Sequence, residues 1–465
     1  MSSSKFALIM ALAGAALFAV ARLINNDYLF FAGYTVIQFI VLATAWNILG
    51  GYCGYVNFGS AAFFAVGAYS SVALHKLGMS VDRWSPDVLA PLMKFLLPLP
   101  IPVLIVIGGI IAGIIGFGMG YLTLRLRGAF FAIATLALAV VLQTLVINWD
   151  FVGGSRGAYI IRAQTVPLIG PYIHYLFITM IVLAVVALVV ARMIERSRLG
   201  YGFATIRDDE LAAEACGVPT LRLKLIATTV SGALMGMAGA PFPYYIGYLE
   251  PGSAFGLAYA VNSIAMPMIG GTTLWAGPLI GALLLGVIQQ IATVTISSAV
   301  NLLIVGLLLI GFVIMAPSGI IGLVRDFLRT AAPARVDTRA VVVLAVASYC
   351  FLVGLGGVVF GLSDAMSGKS SLIVGIGIFA LVLALVYLAC AYGLTKIEGW
   401  SPLLTTVALA ISIPFAFVSL WLDQSSFNIG LHVLGLAADA AGIWYLQQPD
   451  VQRLYQPVGE AGTAT

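Results

Sequence analysis

Residues 101–124 read IPVLIVIGGIIAGIIGFGMGYLTL, 24 residues without one charged side chain. At about 1.5 Å per residue, such a run wound as a helix is about 36 Å long. The hydrocarbon layer of a bilayer is about 30 Å thick, and about 20 apolar residues cross it. No water is available at that depth. A helix is then the form in which one segment satisfies all of its own backbone N–H and C=O groups.

The same pattern recurs along the chain and predicts an all-α, polytopic transmembrane helical bundle of about 14 spans. Ten fall at Phe6–Leu23, Tyr28–Gly50, Ser60–Leu77, Ile101–Leu124, Gly128–Trp149, Tyr172–Arg192, Leu225–Tyr248, Phe255–Gly271, Ala276–Ser297 and Ala299–Ala316. Four more follow a basic stretch, at Ala340–Leu362, Ser371–Leu394, Pro402–Leu422 and Asn428–Leu446. The expected organisation is a ten-span core over 1–325 and a basic linker over 326–339. A four-helix extension over 340–450 and a tail over 451–465 complete it. The first run follows Lys5 and ends near Ala19-Val20-Ala21, which resembles a cleavable leader; it reads as the first span, because a polytopic chain needs no separate export signal.

Composition agrees. Apolar residues make up 62% of the 465 and charged residues 9%, and the mean hydropathy is +1.08. A soluble domain carries about 25% charged residues, so these side chains exceed any core and must face lipid. Alternating the spans from a cytoplasmic N-terminus puts most of the 22 Lys and Arg inside. Arg192, Arg196, Arg198, Arg207, Arg222 and Lys224 share one loop, and Arg325 to Arg339 another. Both termini are then cytoplasmic. Four scattered cysteines and three histidines form no spaced cluster, which argues against a metal site or a disulfide framework.

Two stretches interrupt the apolar pattern. Gly50 to Gly59 carries Gly51, Gly54, Asn57 and Gly59, and Ile269 to Pro278 carries Gly270 and Gly271. Irregular backbone at membrane depth survives only where protein or a water-filled cavity satisfies it, and paired breaks flank the substrate path in many transporters. The alternative is two cytoplasmic turns with glycine for close packing. With the polar, uncharged Gln38, Asn47 and Asn262 of the core spans, these residues are the candidate pathway or break elements.

The loop Glu195–Lys224 is the most informative segment. Asp208 suits an N-cap, Asp209 and Glu210 suit the positive end of a helix dipole, and Gly217-Val218-Pro219 marks a stop. A helix of about two turns follows, with Leu211, Ala212, Ala215 and Cys216 as a small apolar face that a partner surface approaches closely. An ordinary surface helix packed on its own loop has the same spacing.

The Glu214-Ala215-x-Gly217 segment resembles the coupling helix of ABC importer permeases, which sits in a groove of the ATPase. More specifically, the chain resembles the LivM-type permease of branched-chain amino-acid ABC importers. The matching stretches are Ala45–Tyr69, Leu122–Leu136, Asn148–Gly157, Ile206–Gly217 and Ser231–Gly239, in order, over about residues 28–325. The resemblance implies that Arg207, Asp208, Asp209, Glu210, Ala212, Ala213, Glu214, Ala215 and Gly217 form an ATPase-coupling loop. It implies a bacterial inner-membrane location, a second homologous permease subunit, two ATP-binding cassette subunits and a periplasmic or external substrate-binding protein. It also implies that ATP is used by those partner subunits, with no cofactor bound by this chain. Family members end near Pro317; the last four spans depart from the pattern.

Other classes fit less well. An ATPase needs Gly-x-x-x-x-Gly-Lys-[Ser/Thr] after a strand; Gly368-Lys369-Ser370 has Ser363 where the first glycine belongs. An ion-coupled transporter needs charged residues within its spans, and the ten core spans carry almost none. A membrane enzyme needs clustered His, Asp, Glu or Cys, and nothing in the pattern points to nucleic acid. Cargo stays open among branched-chain amino acids, urea, short amides and small organic or aromatic acids. In the extension, Asp423, His432 and Asp439 are ionisable, and Asp439 falls mid-span. It reads as a carboxyl facing its own helices in an accessory bundle, with an ion site as the alternative.

Overall fold

The computed structural model describes residues 3–79, 99–295 and 371–452, apart from short gaps at 25, 124–125, 162–164, 168, 397 and 423–425, together with scattered positions from 306 to 361 and Tyr455. The expected span Ala299–Ala316, the linker 326–339, the Gly368–Ser370 segment and nearly all of the tail lie outside these residues. The chain divides into two compact units, Met1–Val287 and Ile288–Thr465.

In the first unit the long helices are α1 Ser3–Ile24, α2 Asp27–Asn47, α3 Ser60–Met79, α4 Ile101–Thr123, α5 Ala129–Ile147 and α6 Tyr172–Glu195. Two short helices, α7 Arg198–Asp208 and α8 Glu210–Ala215, occupy the loop after α6. Then come α9 Thr220–Gly239, α10 Phe242–Ile246, α11 Pro251–Ala254, α12 Leu257–Gly270 and α13 Ala276–Thr295, of which the part up to Val287 belongs to this unit. Among the described residues of the whole chain, eight helices are long and apolar enough to cross a bilayer. The protein is thus an all-α, multi-pass membrane protein. Span ends agree with the sequence to a few residues, as at α3 and α6. The short eighth span gains length from α11, giving an apolar stretch over Pro251–Gly270.

Local chemistry sets the helix ends. Asn26 caps α2 by accepting the Tyr28 N–H at 3.0 Å, and Asp27 stands at the positive end of its dipole. At its other end α2 runs into a π-helical turn, Ile48–Tyr52, before the chain opens at Cys53.

Helix α9 is the centre of this unit and packs on α4, α3 and α2. Its Gly232, Gly236 and Gly239 repeat at helical spacing. A Cβ on Gly67 of α3 would lie 2.0 Å from the Gly236 carbonyl oxygen, and one on Gly239 would lie 1.9 Å from that of Phe64. Such backbone-to-backbone contact is how helices associate where lipid removes the hydrophobic drive between them. Away from the 195–224 loop, two short ribbons tie connections together, with β1 Ala158–Tyr159 pairing β4 Tyr248–Leu249 and β2 Thr165–Val166 pairing β3 Gly170–Pro171.

The second unit holds α14 Ser371–Lys396, α15 Ser401–Leu422, α16 Ser426–Leu446 and α17 Pro449–Gln452. Its core includes Cys350, Tyr387, Leu394, Leu409 and Leu446. Asp439 is buried there. It accepts hydrogen bonds from the Tyr349 hydroxyl at 2.8 Å and the Ser412 hydroxyl at 2.5 Å, so the carboxyl does face its own helices.

Candidate functional site

The loop from α6 to α9 is built as two capped helices. Ser197 Oγ accepts the N–H groups of Leu199 and Gly200 at 3.2 and 3.4 Å and starts α7. The backbone then turns at Asp209, whose extended conformation (φ −159°, ψ 108°) places its carboxylate on the N–H groups of Leu211 and Ala212 at 2.9 and 3.0 Å. The cap of α8 is therefore Asp209 and not Asp208. Asp208 is the last residue of α7, a helix that runs through Gly200 and Gly202, and its carboxylate pairs with Arg207 at 3.2 Å. Helix α8 is correspondingly shorter than two full turns. Gly217 ends it as expected: at φ +82° it donates its N–H to the Glu214 carbonyl, and Val218 donates to that of Ala213.

One carboxylate of α8, that of Glu210, turns inward, while Glu214 stays exposed. Lys224, on the first turns of α9 and only 3% exposed, sits 2.6 Å from Glu210 Oε1. The Tyr55 hydroxyl donates to the same carboxylate, and Lys224 Nζ donates to the Tyr55 oxygen at 3.2 Å. Burial pushes the Glu210 carboxyl up, but hydrogen bonds from Lys224 and Tyr55 and the charges of Lys224 and Arg127 outweigh it and hold it below its ordinary value. Burial, and then the adjacent Glu210, push the Tyr55 phenol well up. Glu214 accepts from Thr220 at 2.8 Å and from Arg127 at 3.1 Å. An open cavity of about 350 Å³ lies between Gly54–Val56, the entry of α5 and Glu210.

The apolar side of α8 turns outward. Leu211 is 63% exposed, Ala212, Ala215, Cys216 and Gly217 are exposed, and Ala213 alone is buried beneath them. Arg207 packs under Gly54, a glycine at φ +80° whose Cβ would lie 3.0 Å from the arginine chain.

The two interrupted segments meet at the same end of the unit. Asn47 Nδ2 donates to the Thr272 carbonyl at 3.1 Å, and a Cβ on Gly51 would lie 2.7 Å from that oxygen. Asn57 folds its segment locally, its side chain accepting the Gly59 N–H at 2.7 Å and its carbonyl accepting the Trp46 indole N–H at 2.9 Å. In the second segment a Cβ on Gly270 would fall 1.8 Å from the Gly277 carbonyl oxygen, and Gly271 turns at φ +114°. Both segments are connections between consecutive helices. Gln38 is spent elsewhere, donating to the Ala238 carbonyl at 3.3 Å, and Asn262 is half-buried on α12. Sequence reasoning missed Tyr52, Tyr55, Arg127, Glu195, Lys224 and Trp275 as partners in this cluster. The one available signal was Lys224, which with Arg222 puts two cations in the first turns of an otherwise apolar helix.

Comparison with known proteins identifies the family. Residues 28–316 match the model of the family described as "Branched-chain amino acid transport system / permease component". The high-affinity branched-chain amino acid transport system permease protein LivM of Escherichia coli (strain K12) is 27% identical over 319 residues, covering 63% of this chain and 69% of that protein. The LivM protein of Salmonella typhimurium is 26% identical over the same shares. A probable branched-chain amino acid transport permease protein LivH of Methanocaldococcus jannaschii is 24% identical over 279 residues, 57% of this chain and 82% of that one. No solved structure matches. A family match over more than half of the chain, on a multi-pass helical core, places this protein among the permease components of the branched-chain amino acid transport family.

Proposed function

We propose that the chain is a transmembrane subunit of an ATP-driven importer for branched-chain or related amino acids, and that α8 is the element on which an ATPase subunit docks. In this reading a second, related permease completes the passage, two ATP-binding cassette subunits supply the energy, and an external binding protein delivers the cargo. The subunit lies in the bacterial inner membrane with both termini in the cytoplasm, the side that the Lys and Arg bias assigns to the 195–224 loop.

One observation carries the docking role, the inverted polarity of α8. A solvated surface helix puts its carboxylates in water and its apolar side on the protein. Here Glu210 is turned onto Lys224 and Tyr55, and Glu214, though exposed, is tied to Arg127 and Thr220, while Leu211, Ala212, Ala215 and Cys216 face out. The helix is fixed at both ends and pinned by charge, so it presents a small apolar surface at little further ordering cost.

Replacing Leu211 with Asp tests this. The variant is expected to insert and fold normally, because Leu211 contacts solvent, yet to lose co-purification with the ATPase subunits and lose uptake in proteoliposomes. Wild-type association and uptake in this variant would remove α8 as the docking element.

A further inference from the structure

The last turn of α6 holds both interrupted segments. Glu195 Oε2 accepts the backbone N–H of Trp275 at 2.7 Å and the Tyr52 hydroxyl at 3.5 Å. Tyr52 ends the π-helical turn of the first segment, and Trp275 is the residue before α13. One turn earlier, the buried Arg192 places its guanidinium 4.0 Å from the ring centre of Phe6 and 5.7 Å from that of Trp275. Asn47 and Thr272 join the two segments directly, across 225 residues of sequence.

The same helix is the stem of the docking loop. Only Arg196 and Ser197 separate Glu195 from α7, and Gly200 packs so closely that its Cβ would lie 2.4 Å from the Ile194 carbonyl oxygen. The joint is short and closely packed. The first segment is gripped twice: Tyr52 by Glu195 at the stem, and Tyr55 by Glu210 on α8.

We propose that Glu195 is a positioning residue for transport, which ties both interrupted segments to the stem of the docking loop so that movement of the loop moves the two segments together. This rests on the docking role of α8. A carboxylate suits the task because one oxygen faces a backbone donor and a side-chain donor at once; the 2.7 Å bond from Trp275 is of the strong, charge-assisted kind, and the 3.5 Å contact from Tyr52 is long and weaker. Removing it leaves α8 seated, because the Glu210, Lys224 and Arg127 contacts are separate.

The test uses the full complex of both permeases, the ATPase subunits and the binding protein in proteoliposomes, with a branched-chain amino acid that the wild-type complex imports. The readout is ATP hydrolysed per molecule imported. Glu195→Ala is expected to raise that ratio at least tenfold while hydrolysis continues. Glu195→Gln, which keeps an acceptor oxygen, is expected to stay within threefold of wild type. A merely structural role would lower uptake and hydrolysis together and leave the ratio unchanged, which overturns the proposal. Should Glu195→Ala fail to assemble, Glu195→Asp carries the same test, since it keeps the charge but withdraws the carboxylate by one methylene. Leu211→Asp is the control arm. If it severs the ATPase while the Glu195 variants keep the wild-type ratio, the latch is wrong and docking stands. If Leu211→Asp changes nothing, the docking role itself falls.

Discussion

Lys224 Nζ lies 2.6 Å from Glu210 Oε1, with the lysine side chain 3% and the glutamate 12% exposed. This ion pair is the main bond between α8 and the membrane helices. Breaking a buried pair from one side leaves an uncompensated charge, at a cost of about 3–5 kcal/mol, whereas replacing both partners with apolar residues is often nearly neutral.

Glu210→Leu and Lys224→Met alone are therefore expected to destabilise the protein by about 3 kcal/mol each. The double variant should cost clearly less than either single one. Thermal unfolding in detergent across the four proteins checks this; additive losses would show that the two groups act independently.

Acid should loosen α8 later than it protonates an ordinary carboxylate. The folded-state value of Glu210 lies below the ordinary one, the net result of burial opposed by Lys224, Tyr55 and Arg127. The pair's contribution is fully present above the ordinary Glu value and is lost as pH falls through the lower, folded value. Proteolytic nicking of the 195–224 loop is thus expected to begin at a lower pH in the wild type than in Lys224→Met. Identical onsets would argue against the pair as the fastening.

Cys216 is exposed on the outward side of α8, while Cys53, Cys350 and Cys390 are buried. A membrane-impermeant maleimide applied to inside-out vesicles is expected to label Cys216 predominantly. Bound ATPase subunits should slow that labelling at least tenfold, and protection that is absent despite co-purification would place the contact elsewhere.

Glycines of the helix core and of its surface should respond oppositely to alanine. Gly67→Ala drives a methyl into the Gly236 carbonyl and is expected to cost about 3 kcal/mol. Gly118, on α4, has open space where its Cβ would stand. Alanine there should be neutral or stabilise by up to about 1 kcal/mol. Melting temperatures of the two variants decide it.

In the second unit, Asp439→Leu leaves the Tyr349 and Ser412 hydroxyls without their acceptor and is expected to cost about 2 kcal/mol. Asp439→Asn, which keeps one acceptor oxygen, should cost less. If the extension is accessory, uptake per folded complex stays at the wild-type level in both; a loss of uptake with normal folding would give Asp439 a part in transport.

How much of this was legible in the sequence depends on the range of the interaction. Spans were legible because apolar length is a local property, and the stop at Gly217 because one residue's φ carries it. The cap slipped from Asp208 to Asp209, since two glycines disguised α7 and hid which aspartate the helix would consume. The meeting of the two interrupted segments, and the roles of Glu195 and Lys224, were not legible. They join residues that only the packing of α2, α6, α9 and α13 brings together, and a single acid among arginines looks like any loop residue. The π-helical turn was missed as well, because the apolar run reads as one helix up to Gly50, which falls inside that turn.

The glycine seam of α9 has a mechanical consequence. Where α9 meets α3 the two backbones touch, so a side chain added at Gly67 or Gly239 would force the helices apart. Helices α3, α4 and α9 therefore form the keel of this subunit. The keel is expected to move as one piece, with rearrangement confined to the parts packed around it.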